Sequence, residues 1–183
     1  MTTLTNSRAK RYMPTLVVPS AARRSALDLA SKRVIDIVLA TVGVIILTPL
    51  WLVVALLIRI SDRGPAFFKQ TRVGKNGQTF TMYKFRTMRV DAEQVKASLE
   101  AANRADVGAG NSVMFKMRDD PRVTRVGRVL RKTSIDELPQ LFNVIKGDMS
   151  LVGPRPPLPS EVATYEPHVM GKFSVRPGIT GLW

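Results

Sequence analysis

The sequence contains no cysteine and a single histidine, His168. Disulfide scaffolds and thiolate metal sites are therefore excluded, and a histidine-rich zinc centre has too few ligands. Acidic residues are scarce: 14 Asp and Glu stand against 28 Lys and Arg, a net charge of +14. Such an excess suits an anionic partner, whether acidic lipid, a phosphorylated substrate or nucleic acid. Charge is absent altogether from Ile37 to Ile58. That run begins too late and runs too long for a signal peptide, and no small-residue cleavage pattern follows it, so it is read as retained. There is no internal repeat and no low-complexity tract.

Residues 1–31 carry Arg8, Lys10, Arg11, Arg23 and Arg24 without an apolar core and read as a basic flexible arm. Residues 32–60 then form a membrane segment. About 20 apolar residues suffice to span a bilayer as a helix. Two features compete with a simple span. Pro49 sits mid-run, where it removes a backbone hydrogen bond, and Thr48 can bond back to the preceding turn. Both flanks are basic, with Lys32 and Arg33 before and Arg59, Arg63, Lys69, Arg72 and Lys75 after. Basic flanks favour the cytoplasmic side. A helix that dips in, breaks at Thr48 and Pro49 and returns satisfies both, and a spanning helix with a tolerated proline is the alternative.

In residues 61–183, Ala66–Val73 and Thr79–Phe85 read as two strands joined by GKNGQ (74–78), whose Asn-Gly pair predicts a β-hairpin. At its end, YKFRTMR (83–89) alternates Lys84 and Arg86 with Tyr83 and Phe85, which predicts an exposed basic face over a packed aromatic one. Asp91 and Gln94 resemble a capping box and predict a helix to about Arg104. ADVGAGNS (105–112) reads as a loop, VMFKMR (113–118) is ambiguous, and DDPR (119–122) reads as a turn. VTRVGRVLRK (123–132) predicts a basic amphipathic helix with Val126, Val129 and Leu130 on one face, suited to a membrane surface. His168, in TYEPHVMGKF (164–173), reads as a surface loop histidine.

The adjacent acids Asp136 and Glu137 lie among bases in RKTSIDELPQLFNV (131–144). Ser134 to Glu137 has capping-box spacing; on that reading a helix starts at Ser134, buries Leu138, Leu141, Phe142 and Ile145, and ends at Gly147. The competing reading makes the acids chemical. Pro139 falls where a helix optimised for stability would not place it. With Arg131 near, the acids stay ionised, as a nucleophile or magnesium ligand must be. A helix start also offers amides to phosphate oxygens. Arg155, between Pro154 and Pro156, loses little entropy when its guanidinium is fixed on a phosphate, although Pro-Arg-Pro also suits an exposed linker.

KFRTM (84–88), DPR (120–122), LRKTSIDELPQL (130–141), GDMSLVGPRP (147–156) and RPGITG (176–181) occur in that order. With the proline-bearing apolar helix they make the chain, from about Ser31 on, resemble the bacterial sugar transferases, the monotopic phosphoglycosyl transferases. The resemblance implies an α+β, mostly helical, membrane-associated monotopic protein. It implies the re-entrant form of the N-terminal helix, a β-hairpin and interfacial amphipathic helices. It implies transfer of a sugar-1-phosphate from a nucleotide sugar, uridine being the expected nucleotide, to polyprenyl (undecaprenyl) phosphate at the cytoplasmic face of the inner membrane. Asp136 matches the nucleophile that forms a covalent phosphosugar, and Glu137 the carboxylate that holds Mg2+. Arg131, Arg155 and Lys84 are the expected phosphate-binding residues. Expected partners are the nucleotide sugar, the polyprenyl phosphate and anionic lipid; a second copy of the chain is a further candidate. No nucleic-acid motif accompanies the charge, so nucleic acid is set aside. Relative to the family, the catalytic domain is expected to be incomplete beyond Trp183. A non-catalytic scaffold binding acidic lipids through its basic surface is the rival reading.

Overall fold

The computed structural model describes residues 25–92, 94–95 and 120–181. The arm to residue 24, the loop at 105–112 and the segment 113–118 lie outside them, as does most of the helix expected after Asp91, which is seen starting at Ala92. The described chain is helix and strand mixed. It forms two compact units, one holding the chain up to Pro49, Lys69–Lys84 and the chain from Glu137 on, the other Leu50–Phe68 and Phe85–Asp136.

Helix α1 runs Ala26–Asp62 with Pro49 inside it. The helix continues through the break expected at Thr48 and Pro49. Thr48 Oγ1 donates to the Val44 carbonyl at 2.7 Å, so a side-chain bond supports the turn beside the proline. Apolar side chains stand exposed on α1, among them Ile45 and Ile46 at 67% each and Leu52 at 68%. Its most apolar stretch has a mean hydropathy of 2.6 and is only 17% buried. A core helix of a soluble domain buries such a surface; this one leaves it for hydrocarbon, which fits membrane association.

The hairpin forms as expected: β1 is Phe67–Val73, β2 is Thr79–Phe85, and they pair as a two-stranded sheet. Asn76 and Gly77 both take positive φ, 55° and 71°, and Gln78 N donates to Lys75 O at 3.2 Å. Those are the signs of the primed turn whose twist matches paired strands.

In the first unit, Lys32 of α1 forms an ion pair with Asp36 at 2.8 Å. Asp36 also accepts from Ser150 Oγ at 2.8 Å and Leu151 N at 3.3 Å, and Lys32 Nζ donates to Ser150 Oγ as well. Helix α3, Gln140–Lys146, ends at Gly147 as expected, with φ at 102°. Its start differs from expectation. Ser134 is not a cap but takes φ 57°, a left-handed conformation costly for a residue with a side chain. Ile135–Glu137 form a 3-10 turn, and Pro139 stands just outside α3, where its missing N–H costs nothing. The α-helix thus starts after Asp136 and Glu137, which lie in the preceding 3-10 turn. The buried stripe is Gln140, Leu141, Asn143 and Val144; Phe142, expected inside, is 43% exposed.

Asn143 is fully buried and serves as a strand substitute. Its Oδ1 accepts from Tyr83 N at 3.0 Å, and its Nδ2 donates to Thr81 O at 2.7 Å. Beyond α3, β3 (Ser150–Val152) pairs in parallel with β4 (Gly178–Thr180). Val73, Val162 and Phe173 centre a hydrophobic cluster.

In the second unit, Phe85 stacks on Phe67 at 5.2 Å between centroids and meets Trp51 edge-on at 6.2 Å. Helix α2, Arg125–Lys132, is capped by Thr124, which accepts from Gly127 N at 2.9 Å. Gly127 and Leu130 are its buried residues, while Val129, expected on an apolar face suited to a membrane surface, is 61% exposed. The cause is close approach at Gly127, where an added Cβ would lie 2.0 Å from Thr87 O; the packed face centres on that glycine. Arg86 is also not on an exposed basic face. It is buried, its Nη2 lies 3.3 Å from Asp62 Oδ2, and its guanidinium occupies the space a Cβ on Gly64 would need.

Candidate active site

The first unit holds a cavity of about 350 Å³. Strand alternation builds one wall: Met82 and Lys84, two apart on β2, face it together, with Arg72 from β1. Glu137, at the end of the 3-10 turn, and Gln140, the first residue of α3, line it as well. The proline-rich loop after β3 contributes Arg155 and Pro156, and β4 contributes Gly178 and Ile179. Three cationic side chains therefore face one carboxylate.

That carboxylate is engaged. Lys84 Nζ donates to Glu137 Oε1 at 2.7 Å, the two side chains being 22% and 39% exposed. With that much solvent access the pair stabilises by no more than about 1 kcal/mol; its effect is to orient both groups. The surplus of positive charge is left for an anion.

Arg72 is only 7% exposed. Its Nε and Nη2 donate to Gln70 Oε1 at 3.1 and 2.7 Å, and its Nη1 donates to Pro156 O at 3.0 Å. Burial lowers its pKa, Glu161 opposes that shift, and Arg155 adds to it. Gln140 is 2% exposed and brings a neutral amide, donor and acceptor together, to the cavity lining.

The cavity wall at β4 depends on close backbone approach. A Cβ on Gly178 would lie 2.1 Å from Gly153 N, and one on Gly153 would lie 2.5 Å from Arg176 O. The GDMSLVGPRP and RPGITG segments are thus one structural device. Gly153 N donates to Thr180 O at 3.0 Å and Gly178 N to Pro154 O at 2.9 Å.

Of the residues expected from sequence, Lys84, Glu137 and Arg155 come together on this cavity. Asp136 and Arg131 belong to the other compact unit. Asp136 is 9% exposed in the turn Ile135–Glu137. Arg131 Nε donates to Thr87 Oγ1 at 2.9 Å, which joins the LRK and KFRTM motifs. Thr48 and Pro49 lie on α1. His168 is exposed and sits 3.3 Å from Glu166. The sequence reading missed Arg72, Gln140, Gly178 and Ile179. Period-two spacing along β1 puts Gln70 and Arg72 on one face and was the available signal for the arginine.

Magnesium can be weighed against this donor set. Among the described residues no cluster of three or more Asp, Glu and His exists, so a cage made wholly of protein is not offered. Magnesium keeps several waters and takes one or two carboxylates with substrate phosphate oxygens. One carboxylate, Glu137, beside a cationic cavity fits that habit.

The family model described as bacterial sugar transferase matches residues 27–183. The chain is 50% identical over 155 residues to galactosyl transferase CpsE of Streptococcus agalactiae, covering 85% of this chain and 33% of that protein. It is 41% identical over 157 residues to a putative undecaprenyl-phosphate N-acetylgalactosaminyl 1-phosphate transferase of Bacillus subtilis, covering 86% and 78%. It is 43% identical over 153 residues to the UDP-N-acetylgalactosamine-undecaprenyl-phosphate N-acetylgalactosaminephosphotransferase of Aeromonas hydrophila, covering 82% and 32%. The chain thus spans about a third of the length of some relatives and over three quarters of another. With a family match over nearly all its described length, the chain belongs to the bacterial sugar transferase family.

Proposed function

We propose that this chain carries the phosphoglycosyl transferase activity its relatives' names describe. It moves a sugar-1-phosphate from a UDP-sugar to undecaprenyl phosphate at the cytoplasmic face of the inner membrane, an initiating step in surface polysaccharide synthesis. The observation that carries this reading is the cavity in which Lys84 and Arg155 face Glu137, lined also by Arg72, whose guanidinium is engaged by Gln70 and Pro156. A nucleotide diphosphate brings the negative charge that such a surplus of cations attracts.

In the proposed reaction the Asp136 carboxylate attacks the phosphorus nearest the sugar. A bond forms from carboxylate oxygen to phosphorus, the bond to the bridging oxygen breaks, and the nucleoside monophosphate leaves with that electron pair. An oxygen of the lipid phosphate then attacks the same phosphorus and releases the carboxylate. Covalent catalysis splits one difficult displacement into two. Lys84 and Arg155 neutralise the phosphate oxygens, and Arg155 matches them with a planar fork. Arg131, tied to Thr87, supplies further positive charge. Magnesium, when bound through Glu137, adds neutralisation of the diphosphate. Helix α1 is proposed to enter and leave the bilayer on one side, which requires the continuous helix to kink sharply at Pro49 rather than break there. The basic surface holds anionic lipid, each Lys or Arg near the headgroups contributing about 1 kcal/mol.

The test is release of UMP by detergent-solubilised protein given undecaprenyl phosphate, magnesium and a panel of UDP-sugars. Turnover that depends on a UDP-sugar, stops with a chelator and is abolished by Asp136→Asn supports the reading. Lipid binding without UMP release favours the scaffold instead.

A further inference from the structure

The segment that brings Arg155 to the cavity is short of hydrogen-bond donors. Pro154, Pro156 and Pro157 have no backbone N–H, so from 154 to 157 only Arg155 has one. The segment is therefore held by its carbonyls. Pro154 O accepts from Gly178 N at 2.9 Å and Pro157 O from Val73 N at 3.0 Å, both backbone bonds. Pro156 O, next to Arg155, accepts from a side chain, Arg72 Nη1 at 3.0 Å.

We propose that Arg72 is a positioning residue. Its guanidinium braces Gln70 on β1 against the Pro156 carbonyl and so fixes the backbone from which Arg155 reaches the anion. The geometry explains the choice of arginine. The planar fork donates to Gln70 Oε1 through Nε and Nη2 while Nη1 reaches Pro156 O. A lysine keeps the charge but is a single point with no such fork. Stability alone does not explain it, since burying one cation near another is costly, and Arg155 is a like charge acting on Arg72. The brace belongs to the same cavity as the proposed donor site and rests on that reading for its effect on binding, though not for its effect on the backbone.

The experiment uses the full chain in detergent with UDP as the probe. Kd is measured by calorimetry for the unchanged chain, Arg72→Gln, Arg72→Lys, Arg155→Gln and the double variant Arg72→Gln/Arg155→Gln. Amide exchange at Val73 and Gly178 is followed in parallel. Loss of a charge-assisted hydrogen bond predicts that Arg72→Gln weakens UDP binding about tenfold. The same change in the Arg155→Gln background has less than about a twofold effect, because the residue it positions is gone. Arg72→Lys remains about as weak as Arg72→Gln, and both amides exchange about tenfold faster in either variant. Additive losses in the double variant, or full rescue by lysine, make Arg72 a direct electrostatic ligand and overturn the proposal. If UDP does not bind the unchanged chain, the donor-site reading fails. The brace is then decided by exchange, and unchanged protection of Val73 and Gly178 in folded Arg72→Gln, or in Arg72→Lys should the former not fold, overturns it.

Discussion

Gly178→Ala tests the construction of the cavity wall most sharply. The methyl group would lie 2.1 Å from Gly153 N, 2.6 Å from Thr180 O and 2.7 Å from Gly153 Cα. All three atoms are backbone, so no side chain can swing aside. The parallel pair must separate, which strains Gly153 N to Thr180 O at 3.0 Å and Gly178 N to Pro154 O at 2.9 Å. Each such bond is worth about 1 kcal/mol net, and overpacking adds about 1–3. Together they predict a destabilisation of about 3–5 kcal/mol, a fifth or more of a typical total of about 5–15 kcal/mol. At about 2–4 °C per kcal/mol for a chain of this size, Tm falls by roughly 6–20 °C. Thermal unfolding in detergent followed by circular dichroism reads this directly. Gly171→Ala is the control, since nothing lies within 4 Å of its added Cβ; its Tm should move by no more than a degree or two. Equal Tm values for the two variants would refute the packing argument.

Three further outcomes follow from the geometry. Asn143→Leu removes the partners of Tyr83 N and Thr81 O on β2 and should cost about 2–4 kcal/mol in denaturant unfolding; a loss under 1 kcal/mol would contradict the strand-substitute role. Lys84→Met frees Glu137 and removes one of three cavity cations, so UDP binding should weaken about tenfold and lose part of its salt dependence, whereas an unchanged Kd would take Lys84 out of the site. The Asp120 carboxyl is held below the usual carboxylate range by hydrogen bonds from Arg122, with burial opposing. A depressed acid contributes stability above its unfolded pKa of about 3.9 that is lost as pH falls through the folded value. Unfolding measured from pH 6 to pH 3 should therefore lose more stability in the parent than in Asp120→Asn; parallel losses would contradict the pairing.

What was legible in the sequence was local. Asn76-Gly77 specified the hairpin, and Gly147 specified the end of α3, because each depends on a left-handed conformation those residues adopt cheaply. The long apolar run announced α1. What failed depended on tertiary partners. Ser134 to Glu137 has the spacing of a capping box, but Glu137 is taken by Lys84 from a strand distant in sequence, and the helix starts at Gln140 instead of Ser134. Alternation suggested that Arg86 faces solvent, until Asp62 gave it an ion-pair partner. Nothing in the sequence singled out Asn143; its burial is favourable only because its amide meets the backbone of β2. At the site, Lys84, Glu137 and Arg155 were visible as charges in motifs. Arg72 and Gln140 were not, because their significance comes from what packs against them.

The account depends most on Asp136 as the group that takes the phosphosugar. The direct measurement is mass spectrometry of the folded chain, digested after incubation with a turnover-competent UDP-sugar and magnesium but without lipid acceptor. A peptide containing Asp136 should carry the mass of one phosphosugar, lose it when undecaprenyl phosphate is added, and never acquire it in Asp136→Asn. Turnover with no adduct at Asp136, or with an adduct on another residue, would contradict the account.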